Sequence, residues 1–175
     1  GITQADKIKM LGVTFSNNFS VQRHIDEVVS ACSRTLFALR TLRAHGANET
    51  VLQAVFRSVI LSRLTYASPA WWGFTGAADR DRLQSYLAKE IRAGFCPTDV
   101  RTFKQQCEAA DDALFKQIQT CPNHVLRGLL KAGSADHDYN LRQRRHSYVL
   151  PNNLNSLLDS NFLNRVLYKN ANILS

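Results

Sequence analysis

Asp111 and Asp112 stand side by side in Ala109-Ala110-Asp111-Asp112, a carboxylate pair of the kind that can hold Mg²⁺ between its oxygens. Such a metal box needs both carboxylates at a strand turn, converging on the ion. Here the next residues, Ala113-Leu114-Phe115-Lys116-Gln117-Ile118, read as a helix, so Asp111 or Asp112 is expected to cap its N-terminus. Cys96, Cys107, Cys121 and His124 are separated by ten, thirteen and two residues, and only the last interval suits a pair of zinc ligands. Scattered cysteines read more simply as small buried hydrophobes. The chain has five histidines and many serines, but no Gly-x-Ser-x-Gly elbow and no glycine loop that would cradle a phosphate. No catalytic residue and no metal ligand is therefore expected.

Arginine is the residue type that remains. Arg34, Arg40, Arg43, Arg57 and Arg63 fall on two long helical patterns, and a guanidinium is suited to bidentate phosphate contact. Arg63 sits at about the angle of Leu52, Phe56 and Val59, on the apolar stripe. There it must snorkel, pair with an acid or meet a phosphate. The densest basic run is Leu141-Arg142-Gln143-Arg144-Arg145-His146-Ser147-Tyr148, with Tyr139 just before it. Arginines interleaved with aromatics in an extended segment suit phosphate contact and base stacking. A solvated loop, or arginines tied to Asp136 and Asp138, fits the same run.

The elements that must position these residues follow from periodicity. Lys7 to Phe15 alternates and ends at Ser16-Asn17-Asn18, which predicts a single strand. Ile25, Val28, Val29, Cys32, Leu36 and Leu39 then fall on one helical face, with Arg23 and Glu27 an i,i+4 pair opposite and Gly46 as the stop. A second helix starts at the N-cap Asn48, carries Leu52, Val55, Phe56, Val59 and Ile60, and ends before Pro69. A third runs from about Ala77 to Ala93 with Leu83, Tyr86, Leu87 and Ile91 inside. Beyond Gly94-Phe95-Cys96-Pro97 the texture changes. Residues 98–131 read as two or three shorter helices interrupted at Cys121-Pro122-Asn123. Residues 132–153 read as an extended loop, and Ser160 is expected to cap a last short helix. The fold class is mainly α: one short N-terminal strand, a three-helix bundle, then shorter helices and an extended basic loop.

Composition narrows the function classes. The chain has 175 residues, 45% hydrophobic and 21% charged, which is the profile of a globular protein with a core. Its net charge of +8 favours a polyanionic partner. Residues 1–95 hold 12 basic and 7 acidic side chains and residues 96–175 hold 10 and 7, so the charge is spread and not carried by a tail. No apolar run is long enough to span a bilayer, no secretory leader is visible, and four cysteines are too few for a disulfide scaffold. An intracellular location, nuclear or cytoplasmic, is expected. The opening Gly1-Ile2-Thr3 lacks a Met, which suggests a piece excised from something longer.

Several stretches resemble a known family. Ile8-Lys9-Met10-Leu11-Gly12-Val13, then Phe19-Ser20 and His24-Ile25, resemble the end of the reverse transcriptase domain of non-LTR (LINE-like) retrotransposons, as does Tyr66-Ala67-Ser68-Pro69-Ala70-Trp71-Trp72. Pro122-Asn123-His124-Val125-Leu126, Tyr139-Asn140-Leu141-Arg142-Gln143-Arg144, His146, Leu150-Pro151 and Asn161-Phe162-Leu163 look like the C-terminal region of the jockey-like branch of these transposable elements. The resemblance implies the end of a palm at 1–18, a thumb at 19–95 and a post-thumb region at 96–175. The family's aromatic-Ala-Asp-Asp box lies before the Leu-Gly-Val strand, so the catalytic carboxylates are absent from this chain. Asp111-Asp112 lies on the wrong side to replace them.

What this implies is a non-catalytic fragment of an RNA-directed DNA polymerase that grips an RNA or RNA/DNA template–primer duplex. The remaining palm and fingers would be its other partners, and no membrane is involved. The fragment needs no cofactor, although the parent enzyme would use Mg. The nucleic-acid-binding residues expected are Arg34, Arg40, Arg57 and Arg63 in the thumb, and Tyr139, Arg142, Arg144, Arg145 and His146 downstream. The other reading is an all-helical protein-interaction module without nucleic-acid binding. Trp71-Trp72, beside Tyr66 and Phe74, would be its anchor unless these rings close the end of the bundle.

Overall fold

The structure is a computed structural model that describes residues 5–131, 146, 148–151 and 156–171. It is mainly helical and divides into two compact units, 1–108 and 109–175. Helix α6 (Phe103–Thr120) begins in the first and continues in the second.

The expected single strand is a hairpin. β1 (Lys7–Met10) pairs antiparallel with β2 (Val13–Ser16), Met10 opposite Val13 and Ile8 opposite Phe15. Leu11 and Gly12 between them have φ of 46° and 87°, the two positive values that close a tight hairpin turn. The Tyr66 hydroxyl donates to the Leu11 carbonyl at 3.2 Å, and a Cβ on Gly12 would lie 3.3 Å from the Tyr66 ring. Thr14, on the other side of β2, donates to Glu27 Oε2 at 3.2 Å and ties the hairpin to the first helix.

That helix, α1 (Gln22–Ala44), buries Ile25, Cys32, Leu36 and Leu39. Each such side chain contributes about 1.5–3 kcal/mol on burial. The exposed Arg23–Glu27 pair at 3.6 Å adds at most ~1 kcal/mol, so the apolar stripe holds the helix. Gly46, at φ 89°, ends the run where expected. α2 (Glu49–Val55) starts at Asn48, whose side chain accepts the Val51 N–H at 2.9 Å.

The next stretch departs from a simple α-helix. Phe56–Leu61 is a wide-turn π segment, followed by α3 (Ser62–Thr65), and the Ser62 N–H and Oγ both reach the Arg57 carbonyl five residues back. The wide turn keeps Leu52, Phe56, Ile60 and Leu64 all buried, against the α1 stripe. Ala67, at φ 50°, then makes a corner into α4 (Ser68–Trp71) and a short 3₁₀ turn (Trp72–Phe74). Pro69 sits in the first turn of α4, where its missing N–H costs nothing. α5 (Ala77–Arg92) buries Leu83, Leu87 and Glu90. The first core takes in Phe95, Cys96, Phe103 and Cys107 as well.

α6 is one long helix where shorter ones were expected. It opens with a capping box: Thr102 Oγ1 accepts the Gln105 N–H at 3.2 Å, and Gln105 Oε1 accepts the Thr102 N–H at 3.0 Å. It ends at Thr120, before the expected break at Cys121-Pro122-Asn123. In the second unit Phe115, Ile118, Leu130, Val166 and Leu167 form a core of their own, with α7 (Ser156–Asp159) and α8 (Phe162–Ala171). The cap of α8 is Asn161, which accepts the Leu163 N–H at 2.9 Å, and not Ser160, whose carbonyl accepts from Arg165.

Asp111 and Asp112 are not caps, because the capping box starts α6 two turns earlier. Asp111 is buried and takes a two-pronged contact from Arg165 Nη2 at 2.8 and 3.1 Å. Burial pushes its carboxyl above the ordinary range, and the Arg165 hydrogen bonds pull it back. Asp112 is half-exposed and paired with Lys169 at 2.8 Å. Asp111→Ala, which takes the paired carboxylate from a largely buried guanidinium, is expected to cost about 3 kcal/mol in urea denaturation, and Asp112→Ala less than ~1 kcal/mol. Equal losses would contradict the burial argument. Gly12→Ala places a Cβ at positive φ against Tyr66 and is expected to cost ~1–2 kcal/mol. An unchanged midpoint would show that the turn does not need glycine.

Candidate nucleic-acid interface

Between Val28 and Ala44, α1 carries Arg34, Arg40 and Arg43 and no acidic residue. The C-terminal two-thirds of the helix is therefore cationic, with its arginines spread around the axis. Arg34 is exposed on the outer face, with Nη1 on Ser30 Oγ at 3.1 Å. Phe37, 71% exposed, follows it on the same side of the helix. Arg40 points elsewhere: six residues of α-helix turn it about 120° from Arg34 around the axis. Its guanidinium stays half-exposed, with Nη2 3.8 Å from Glu90 Oε1. Arg43 has a structural task, stacking 3.5 Å over the Phe95 ring and donating to the Ala93 carbonyl at 2.8 Å.

The other two thumb candidates split as well. Arg57 lies in the wide-turn segment and pairs with Asp99, both ends well exposed. Arg63 is exposed in α3 and not on the apolar stripe. The expectation assumed a continuous α-helix, in which residue 63 returns to the angle of Leu52. The π segment shifts the phase, so Leu64 takes the buried position and Arg63 turns outward. Arg63 forms no ion pair with a described residue, but it is near enough to the buried Cys32 to oppose the rise that burial causes in its thiol, which reaches about 11. The four candidates do not form one cluster. Arg34 and Arg63 are the open ones, while Arg40 and Arg57 are held by acids.

Glu90 is the partner that the sequence reading missed. It is 1% exposed, and its Oε2 meets no hydrogen-bond partner among the described residues. Arg40 is the one cation within ion-pair distance among the described residues. Burial raises the Glu90 carboxyl above the ordinary range, and Arg40, Lys89 and Arg43 oppose the rise. Tyr86, one turn earlier, is raised by the same burial. The signal was in the spacing, since residues 83, 87 and 90 share one face of α5 with Glu90 at the end of the stripe.

Of the downstream candidates, Tyr139, Arg142, Arg144 and Arg145 lie outside the described residues. His146 does not fit a contact role. It is buried, with Nδ1 accepting the Tyr148 N–H at 3.2 Å and Nε2 3.0 Å from the Leu167 carbonyl. The ring packs on Phe115 and Tyr148. Trp71 and Trp72, 1% and 5% exposed, are core residues packed on Phe103 and not a surface anchor. A buried His24 stands edge-on to Trp71 at 5.5 Å, and its pKa is lowered by burial.

No group of three His, Cys, Asp or Glu side chains that could hold a metal occurs among the described residues. Asp111 and Asp112 do not fit a Mg²⁺ site, because their oxygens are engaged by Arg165 and Lys169. Among the described residues no helix is long and apolar enough to cross a membrane. No protein-family model matches the chain, and neither a curated protein nor a solved structure matches it significantly.

A carboxyl whose pKa is raised on folding destabilises the native state once it ionises. Its cost is therefore absent below the ordinary Glu range and grows as pH rises through the raised value. Glu90→Gln keeps the shape without the charge. At pH 8 it is expected to melt above the native protein by roughly 2–4 °C, the effect of about 1 kcal/mol in a chain of this size. The difference should vanish near pH 4. A lower melting point for Glu90→Gln at pH 8 would mean that the Arg40 pair outweighs burial.

Proposed function

We propose that this chain is part of a non-LTR retrotransposon RNA-directed DNA polymerase, and that it grips the RNA template–primer duplex through phosphate contacts without carrying the polymerase chemistry. The observation that carries the reading is two exposed cations of the first unit: Arg34 and Arg63 have no acidic partner among the described residues, and α1 carries no acid of its own beyond Glu27. The acid-free part of α1, residues 28–44, is about 25 Å long.

The sequence resemblance supports the same reading, and its stretches meet in space. Leu11-Gly12 packs on Tyr66, and His24 on Trp71. Contacts of this kind are to backbone phosphates and sugars, so binding is expected to be tolerant of sequence and sensitive to salt. The rest of the palm and the fingers would be its partners within the polymerase. The Mg²⁺ that the parent enzyme uses would be held there, because Asp111 and Asp112 are engaged by Arg165 and Lys169.

Filter binding of an RNA/DNA hybrid across a salt series tests the reading. Arg34→Ala with Arg63→Ala is expected to weaken binding at every sequence tried and to lower the salt slope by about one for each phosphate contact removed. Replacing Arg142, Arg144 and Arg145 by Ala is expected to do the same. Unchanged affinity and slope in both sets would remove the assignment. Capture of a protein partner with no duplex binding at physiological salt would favour the interaction module.

A further inference from the structure

We propose that Glu90 and a nucleic-acid phosphate compete for Arg40, so that binding an RNA/DNA hybrid takes up a proton at Glu90. The inference rests on the duplex-binding reading above and adds a control to it. Arg40 reaches from solvent toward a carboxylate in the seam between α1 and α5, at 3.8 Å, too far for a hydrogen bond. It is half-exposed, so it can swing to a phosphate with little loss of packing. Glu90 has no such freedom, because it is fully buried and its Oε2 is already without a hydrogen-bond partner among the described residues. A carboxylate left there without its cation is an unpaired buried charge, and the least costly response is to protonate. The proton comes from the buffer, and no other bond changes.

The surroundings leave Glu90 as the group that responds. From α1 it faces Arg40 and Arg43, from α5 Tyr86 (itself beside Cys32) and Lys89, and from the segment after α5 Cys96. Cys32 and Cys96 are pushed up to about 11 by burial, and Tyr86 is raised also, so none of them ionises between pH 5.5 and 8. Arg43 cannot replace Arg40, being fixed on the Ala93 carbonyl and the Phe95 ring. Burial raises the Glu90 carboxyl, and Arg40 is the largest influence holding it down. Loss of Arg40 to a phosphate therefore raises it further. By linkage the affinity falls as pH rises between the free and bound values, because the bound form carries the extra proton.

The test uses the whole 175-residue chain and a short RNA/DNA hybrid. Calorimetric titrations at several pH values from 5.5 to 8, each in two buffers of different ionisation enthalpy, count the protons taken up. For the native protein, uptake and a fall in affinity with pH are expected, up to about tenfold for each unit separating the free and bound values. Glu90→Gln should bind at least as tightly as the native protein at pH 8, with proton uptake clearly below that of the native protein. Arg40→Ala should bind more weakly, with the same reduced uptake, and circular dichroism confirms that each variant is folded. Hybrid binding with identical uptake in native protein and Glu90→Gln overturns this proposal and leaves the duplex reading standing. No hybrid binding at any pH overturns both.

Discussion

The four-residue interval between Leu52, Phe56, Ile60 and Leu64 is the constraint on which the first unit depends. In a continuous α-helix three such steps drift by roughly 120°, and the last leucine would leave the core. The π segment at Phe56–Leu61 absorbs that drift, so one straight apolar face meets the stripe of α1. The cost is an irregular helix, with Ser62 reaching back to the Arg57 carbonyl to hold its wide turn. The consequence is electrostatic. With Leu64 inside, Arg63 is outside, and the outer surface of the unit gains an open cation. Packing decides which charges face solvent before any partner is considered.

Buried charge is used in two ways. In the second unit Asp111 and Arg165 satisfy one another with two close contacts, and the pair orients α8 against α6. In the first unit, among the described residues, Glu90 is buried with one cation at ion-pair distance and one oxygen without a hydrogen-bond partner. The first arrangement is a structural clamp whose loss takes the countercharge from a largely buried group. The second is poorly compensated, and poor compensation makes a group responsive to its surroundings. The two look alike in the sequence, as an acid on an apolar face, and differ only in the geometry of the cation that reaches them.

Much of the fold was legible because it follows from local rules. The α1 stripe, the Asn48 cap, the Gly46 stop and the extent of α5 each rest on residues within a turn or two of one another. What was not legible depends on distant contacts. The positive φ of Leu11 splits one strand into two, and is supported by Tyr66, fifty-five residues away. The phase of Arg63 is set by a wide turn that tertiary packing selects over the regular one. Asp111 faces an arginine fifty-four residues later, so a nearby cap was the natural but wrong assignment. One local signal was available and overlooked, namely Thr102-x-x-Gln105, which starts α6. For the interface, the sequence located the arginines, and only the structure separated open cations from those already paired.

The central claim is that the outer cations of the first unit, and not its core-bound arginines, meet a nucleic-acid duplex. Side-chain NMR of the arginine guanidinium groups during titration with an RNA/DNA hybrid tests this directly, since each arginine reports for itself. The account predicts that Arg34, Arg40 and Arg63 shift. Arg43, stacked on Phe95, and Arg80, over Trp72, should stay in place. Shifts confined to Arg43 and Arg80, or no shift at saturating hybrid, would contradict it.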